Sequence, residues 1–261
     1  MKKEKLLKAV IFFLAVVIII QVVIIVSNLP KKKPGLEISP AGKGKIAIVL
    51  DDWGYNFNNF AILQNIQAPL TLSILPNLPY STKVAEEANK SGFEVILHLP
   101  MEPHEKIGLE KNTILVSMDA KNIEDILGND LNSIPHAKGA SNHMGSRATE
   151  DSRVVKIILK DLKRRHLYFL DSFSSAKSVC VPIANQVGIK VYKRDMFLDN
   201  IEEYGYIRKQ IAKLKARAKV YGSAIGIGHD RKITLEVLSE IIPQLQREGY
   251  EFVRVSELKR Q

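Results

Sequence analysis

The chain has 261 residues, 46% hydrophobic and 25% charged, proportions ordinary for a globular protein and enough for one large domain behind a short leading segment. Of the formal charge of +10, residues 1–33 contribute +6, from seven lysines and one glutamate, which leaves +4 on the rest. So small a surplus gives no reason to expect a nucleic-acid partner, and the single cysteine, Cys180, excludes an internal disulfide.

Residues 6–26 are almost entirely apolar, broken only by Lys8 and Gln21. About 20 such residues cross a bilayer as a helix. The run follows Met1-Lys2-Lys3-Glu4-Lys5, the positive start of a signal segment, and no clear small-x-small cleavage site follows it. Residues 1–28 therefore read as a transmembrane signal anchor. Lys2, Lys3, Lys5 and Lys8 compete with Lys31, Lys32 and Lys33 over orientation. Because large domains translocate largely regardless of charge, the N-terminal lysines put the main domain outside the cytoplasm, periplasmic or at the cell surface. Cleavage of the segment would make the domain secreted. Residues 29–44, with Pro30, Pro34, Gly35, Pro40, Gly42 and Gly44, read as a linker.

From residue 45 to 261, short apolar runs alternate with amphipathic stretches. The runs are 46–50, 70–75, 94–99, 139–142, 167–170, 189–192, 224–227 and 252–255; the helical patterns are 57–66, 82–90, 120–131, 151–165, 179–187, 201–220 and 235–247. This alternation predicts an α/β fold with a mostly parallel sheet. Seven to eight strands suit a closed or partly closed (β/α) barrel, and an open doubly wound sheet is the alternative that periodicity does not separate. The run Arg208, Lys209, Lys213, Lys215, Arg217 and Lys219 falls in one helical segment and reads as a solvated face. Cys180 sits in an apolar helical stretch and reads as core.

In either architecture function sits at the carboxyl edge of the strands. The first strand runs into Asp51-Asp52-Trp53-Gly54, and adjacent carboxylates after a buried strand are costly unless used. The third ends in His98, a metal-ligand candidate, with Glu102 four residues on. The next leads to Ser141-Asn142-His143-Met144-Gly145-Ser146-Arg147, and later ones end in Asp171-Ser172, Lys193-Arg194-Asp195 and His229-Asp230. The convergence of so many acids and imidazoles on strand ends is the signal. His104, His136 and His166 lie off the strand ends and read as structural or solvent-facing. Trp53, Tyr55 and Phe57 either stack on sugar rings or simply pack.

The segments Val49-Leu50-Asp51-Asp52-Trp53-Gly54, His98-Leu99-Pro100-Met101-Glu102-Pro103, Asn142-His143-Met144-Gly145-Ser146, Phe169-Leu170-Asp171-Ser172, Arg194-Asp195-Met196-Phe197-Leu198-Asp199 and Ile227-Gly228-His229 together resemble the divergent polysaccharide deacetylase family, from about residue 45 to 258. The resemblance implies a distorted (β/α) barrel and a metal-dependent carbohydrate deacetylase that hydrolyses the C–N amide bond of N-acetyl groups on an envelope glycan. By it, Asp51 is the general base, Asp52 and His98 bind a divalent metal such as zinc, and His229 is the acid, with Asp171 holding its imidazole. Where the wider family has a second metal histidine this chain has Glu102; either Glu102 or His143 completes the set, and nitrogen ligands favour His143. Arg194 or Arg147 positions the base. A non-catalytic glycan-binding or scaffold protein, or a metal hydrolase with another substrate, are the rival readings.

Overall fold

The computed structural model describes residues 43–259 and, apart from them, Gln21. Apart from Gln21, the expected signal anchor lies outside the described residues, as does most of the linker; among the described residues no helix is long and apolar enough to cross a membrane.

Nine strands form one sheet: β1 Lys45–Trp53, β2 Thr71–Ile74, β3 Glu94–Met101, β4 Gly139–Met144, β5 Tyr168–Asp171, β6 Val191–Lys193, β7 Met196–Phe197, β8 Ser223–His229 and β9 Glu251–Phe252. Between them run α1 Phe60–Gln64, α2 Ser81–Lys90, α3 Ala120–Ser133, α4 Ser152–Arg164, α5 Cys180–Val187, α6 Tyr204–Tyr221 and α7 Lys232–Arg247. Every pairing is parallel. The order β6-β5-β4-β3-β2-β1-β8-β7 follows the sequence around one direction, so the sheet curls as an incomplete barrel, open between β6 and β7. A doubly wound sheet would reverse direction at a switch point, and this one does not.

Side-chain parity divides the core. Ile46, Ile48 and Leu50 of β1, Val95, Leu97 and Leu99 of β3 and Phe169 of β5 join the larger cluster against the helices. The alternate residues Ala47, Val49, Ile96, Tyr168, Leu170, Ile225 and Ile227 meet one another inside the curl, which is possible only because the sheet bends round. The chain's last segment fills the amino-terminal end of this interior with Val253, Val255 and Leu258. There Glu94 accepts hydrogen bonds from Thr71 Oγ1 (3.0 Å), Tyr168 OH (2.8 Å) and the Ser256 N–H (3.3 Å).

The helices follow their sequence signals. Asp151 caps α4 by accepting from the N–H groups of Arg153 and Val154, a contact worth about 1 kcal/mol. Behind it Val154, Val155, Ile158, Leu159 and Leu162 bury one face. α5 stops at Gly188, whose φ of 75° suits glycine. Cys180 is fully buried in α5, as its apolar surroundings predict.

Candidate metal centre and active site

The same parity that builds the inner cluster carries four chemical groups into the carboxyl end of the barrel. Asp51 continues Ala47 and Val49, His98 continues Ile96, His143 continues Ser141, and His229 continues Ile225 and Ile227. Parity alone would send Asp52 toward the helices. Instead its backbone is left-handed, φ 66°, and the β1–β2 register shifts between Leu50 and Trp53. This irregularity lets both adjacent carboxylates serve one site.

Asp52, His98 and His143 present one ligand atom each to a common point. Asp52 Oδ1 lies 3.3 Å from His98 Nε2 and 3.2 Å from His143 Nδ1, and those two nitrogens are 3.2 Å apart. Metal–ligand bonds of 2.0–2.1 Å at a tetrahedral angle separate neighbouring ligand atoms by about 3.3–3.4 Å, so the triangle has the size a zinc-like ion requires. Asp52 Oδ1 is buried without a hydrogen-bond donor, as a carboxylate oxygen reserved for a cation would be. The His98 ring is oriented from behind: its Nδ1 is 2.9 Å from Ser141 Oγ, which is 2.7 Å from Ser73 Oγ. Such an outer partner fixes the tautomer that leaves Nε2 free for a metal. Burial acts to raise the Asp52 pKa, but the imidazoles of His143 and His98 beside it hold it well below the usual carboxylate range.

Asp51 lies beneath this triangle, 2% exposed, its Oδ2 3.7 Å from His98 Nε2 and its Oδ1 without a partner. Burial pushes its pKa up against the opposing influence of His98. Across the site, His229 Nδ1 is 2.7 Å from Asp199 Oδ1. Asp199 Oδ2 accepts from the His229 N–H and from Thr234 Oγ1, which locks the carboxylate. Burial would lower the His229 pKa, but the Asp199 hydrogen bond and the charges of Asp199, Asp51 and Asp52 raise it.

The partner expected for His229 in Asp171 is thus supplied by Asp199. Asp171 shares the outward parity of Phe169; it accepts from Ser178 Oγ (2.6 Å) and the Phe173 N–H (2.8 Å) and so orders the loop after β5. Asp199 stands in the Arg194–Asp199 segment that carries the resemblance, and register gives it its role. β7 pairs Met196 with Gly226 and Phe197 with Ile227, and two residues further Asp199 falls opposite His229.

Glu102 stands outside the triangle. It accepts from the Val116 N–H (2.6 Å) and from Arg147 Nη1 (2.7 Å), tying the strand end to the loop before α3. Of the two arginines considered, Arg147 is committed to that pair. Arg194 donates to the carbonyls of Ser172 (2.5 Å) and Phe173 (3.1 Å), and its guanidinium lies 3.7 Å over the Phe197 ring, itself stacked 5.8 Å from His229. Burial lowers the Arg194 pKa, opposed by the charges of Asp171 and Asp51. Asp195 faces the open seam and holds Arg217. Among the early aromatics, Trp53 is fully buried and Phe57 stacks on Phe60, 4.4 Å between centroids. Tyr55 is exposed and donates to Glu110 of the loop after β3.

The sequence profile of the divergent polysaccharide deacetylases matches residues 48–259. The chain belongs to this family. It is 37% identical over 207 residues to the "uncharacterized protein YibQ" of Escherichia coli (strain K12), a match covering 79% of this chain and 65% of that protein, so it spans less than two thirds of that relative. The fold is shared with the "uncharacterized protein ATU2773" of Agrobacterium tumefaciens C58 (TM-score 0.80, 24% identity, 86% of this chain and 93% of the other). It is also shared, more distantly, with the catalytic domain of a peptidoglycan N-acetylglucosamine deacetylase from Eubacterium rectale (TM-score 0.51, 15% identity, 88% and 95% covered).

Proposed function

We propose that this protein is a metal-dependent hydrolase that removes N-acetyl groups from a glycan of the cell envelope, its domain tethered outside the cytoplasm by the N-terminal segment. The observation that carries the reading is the convergence of the Asp52–His98–His143 triangle, the buried Asp51 and the Asp199-held His229 on one strand edge. The donor set of one carboxylate and two imidazoles suits zinc or a similar divalent ion, which when bound polarises a carbonyl and acidifies water.

The chain's own groups supply the proton traffic. Asp51, with Oδ1 unpaired and its pKa raised by burial, takes the proton of the attacking water. His229, kept protonated by Asp199, donates through Nε2 to the departing amine nitrogen, since Nδ1 is engaged. Arg194, fixed by two carbonyls and the Phe197 ring, adds positive charge on the His229 side of the site. The exposed Tyr55 offers a ring on which a sugar can stack.

The test is acetate release from N-acetylglucosamine oligomers and peptidoglycan fragments, by wild type and by Asp51→Asn. Release that Asp51→Asn loses while keeping its metal supports the reading. Binding of the same glycans without acetate release by the metal-loaded wild type replaces it with a glycan-binding protein.

A further inference from the structure

At the opposite, amino-terminal edge of the sheet lies a cavity of about 700 Å³ that the proposed chemistry does not use. It opens at the starts of β3 to β6 and is bordered by the final segment through Arg254 and Ser256. His136, Lys138, Lys163, His166, Lys190 and Arg254 all line it. The one carboxylate in the lining is Glu94, which is buried and already committed to Thr71, Tyr168 and Ser256.

The cations there are poorly compensated. Lys163 donates to the Val187 carbonyl and Arg254 Nη2 to the Gly92 carbonyl, neutral acceptors that leave the charge in place. Arg254 has one long ion pair, 3.7 Å to Glu257. Its Nε–H is buried and without an acceptor among the described residues. The side chains of Lys138 and Lys190 make no ion pair or hydrogen bond among the described residues. Phe93, Leu167 and Ile189 add apolar wall. Several cations around a cavity whose sole carboxylate is already committed call for an anion of more than one charge with several acceptor oxygens, and phosphate has that chemistry.

We propose that this cavity is a binding site for a phosphate-bearing small ligand, its phosphate held by Lys138, Lys190 and Arg254 and its organic part against the apolar wall. Phosphate could arrive free or as the headgroup of a lipid. The chain enters the domain at this same edge, where the Lys43 N–H donates to the Gly249 carbonyl. The site is independent of the deacetylase reading, because the strands separate it from the Asp52–His98–His143 triangle.

The test is isothermal titration of the full-length chain, in uncharged detergent, with inorganic pyrophosphate, inorganic phosphate and glycerol 3-phosphate. Wild type is expected to bind pyrophosphate one to one, more weakly as salt rises. Lys138→Gln/Lys190→Gln, which alters exposed side chains and should keep wild-type thermal stability, is expected to weaken binding at least tenfold, and Arg254→Gln similarly. His143→Ala, at the other edge, is expected to bind as wild type. Glycerol 3-phosphate binding more tightly than inorganic phosphate points to a lipid headgroup, and the reverse order to a free phosphate. The proposal is overturned if wild type shows no saturable binding, if the lysine double variant binds as wild type, if His143→Ala loses binding to the same extent, or if single-stranded DNA binds more tightly than pyrophosphate.

Discussion

Replacing His143 with alanine removes one corner of a triangle whose sides are 3.3, 3.2 and 3.2 Å. A bound ion would then have Asp52 and His98 alone. Loss of an outer partner costs metal sites 10–100-fold in affinity, so loss of a direct ligand is expected to cost more than about 100-fold. An ion supplied at one hundred times the wild-type Kd stabilises the fold by about 2.7 kcal/mol. At the same concentration, a hundredfold weaker site gains only RT ln 2, about 0.4 kcal/mol. For a domain of this size, that converts to a rise in Tm of about 5–10 °C for wild type and about 1–2 °C for His143→Ala. The assay is thermal unfolding of matched samples with added zinc and with chelator, alongside metal content by mass spectrometry. Glu102→Ala is the decisive companion. Its carboxylate is occupied by Val116 and Arg147, so this variant is expected to keep the full zinc-dependent rise on a lower baseline. Should Glu102→Ala lose that rise while His143→Ala retains it, the ligand assignment is refuted.

Asp199→Asn is expected to lower kcat for acetate release by about 10²–10⁴ and to move the alkaline limb of the pH–rate curve to lower pH, because Asp199 is what raises the His229 pKa. Asp171→Asn, which loosens only the loop after β5, is expected to stay within about tenfold of wild type at an unchanged pH optimum; equal losses in both would remove Asp199 from its role. Asp130 is fully buried, accepts one hydrogen bond from Asn77 and leaves Oδ2 unpaired, and burial pushes its pKa up to about 7. Its folded pKa therefore lies above the unfolded one, the folded state binds more protons between about pH 4 and 7, and stability falls as pH rises through that window. Asp130→Asn is expected to be more stable than wild type at pH 8 by on the order of 2–4 kcal/mol relative to the difference at pH 4, read from urea midpoints at both; a pH-independent difference would contradict this. A Cβ on Gly226 would lie 2.7 Å from Leu214 Cδ2 and 3.1 Å from Leu198 Cδ2, both leucines fully buried, so Gly226→Ala is expected to cost about 1–3 kcal/mol in the same urea assay.

Much of the fold was legible because most strands are apolar runs and the longer helices carry their own period, two of them capped by Asp119 and Asp151. Seven of the eight expected strands and all seven helices expected after residue 45 are present with shifted ends, whereas of the expected strand 252–255 only Phe252 is paired and Val255 begins a 3-10 turn. The strand that was not expected, β7 Met196–Phe197, has two residues, too few for any alternation to register. Barrel against doubly wound sheet turns on strand order, which is a property of long-range pairing and leaves no local trace.

At the site, the acids and imidazoles that continue an inward-facing strand pattern were found from the strand ends, Asp52 received its role through the family resemblance, and Asp199, placed by a neighbouring strand, received none. Asp51, His98, His143 and His229 each lie two residues beyond an inner-facing residue. Asp171 was drawn into the same set because the inward face of β5 was not identified; with Tyr168 and Leu170 pointing in, Asp171 must point out. Asp52 is the instructive opposite. Strict alternation admits only one of two adjacent residues to the interior, and Asp52 gains entry through left-handed backbone, which costs a non-glycine residue on the order of 1–3 kcal/mol. Met144 and Phe173, at the carboxyl ends of β4 and β5, share that conformation with φ of 54° and 52°. Strain gathered at one edge, beside two adjacent carboxylates of which one is forced upward in pKa by burial, opposes stability, and a fold retains it where the arrangement does something for which a relaxed strand end has no geometry.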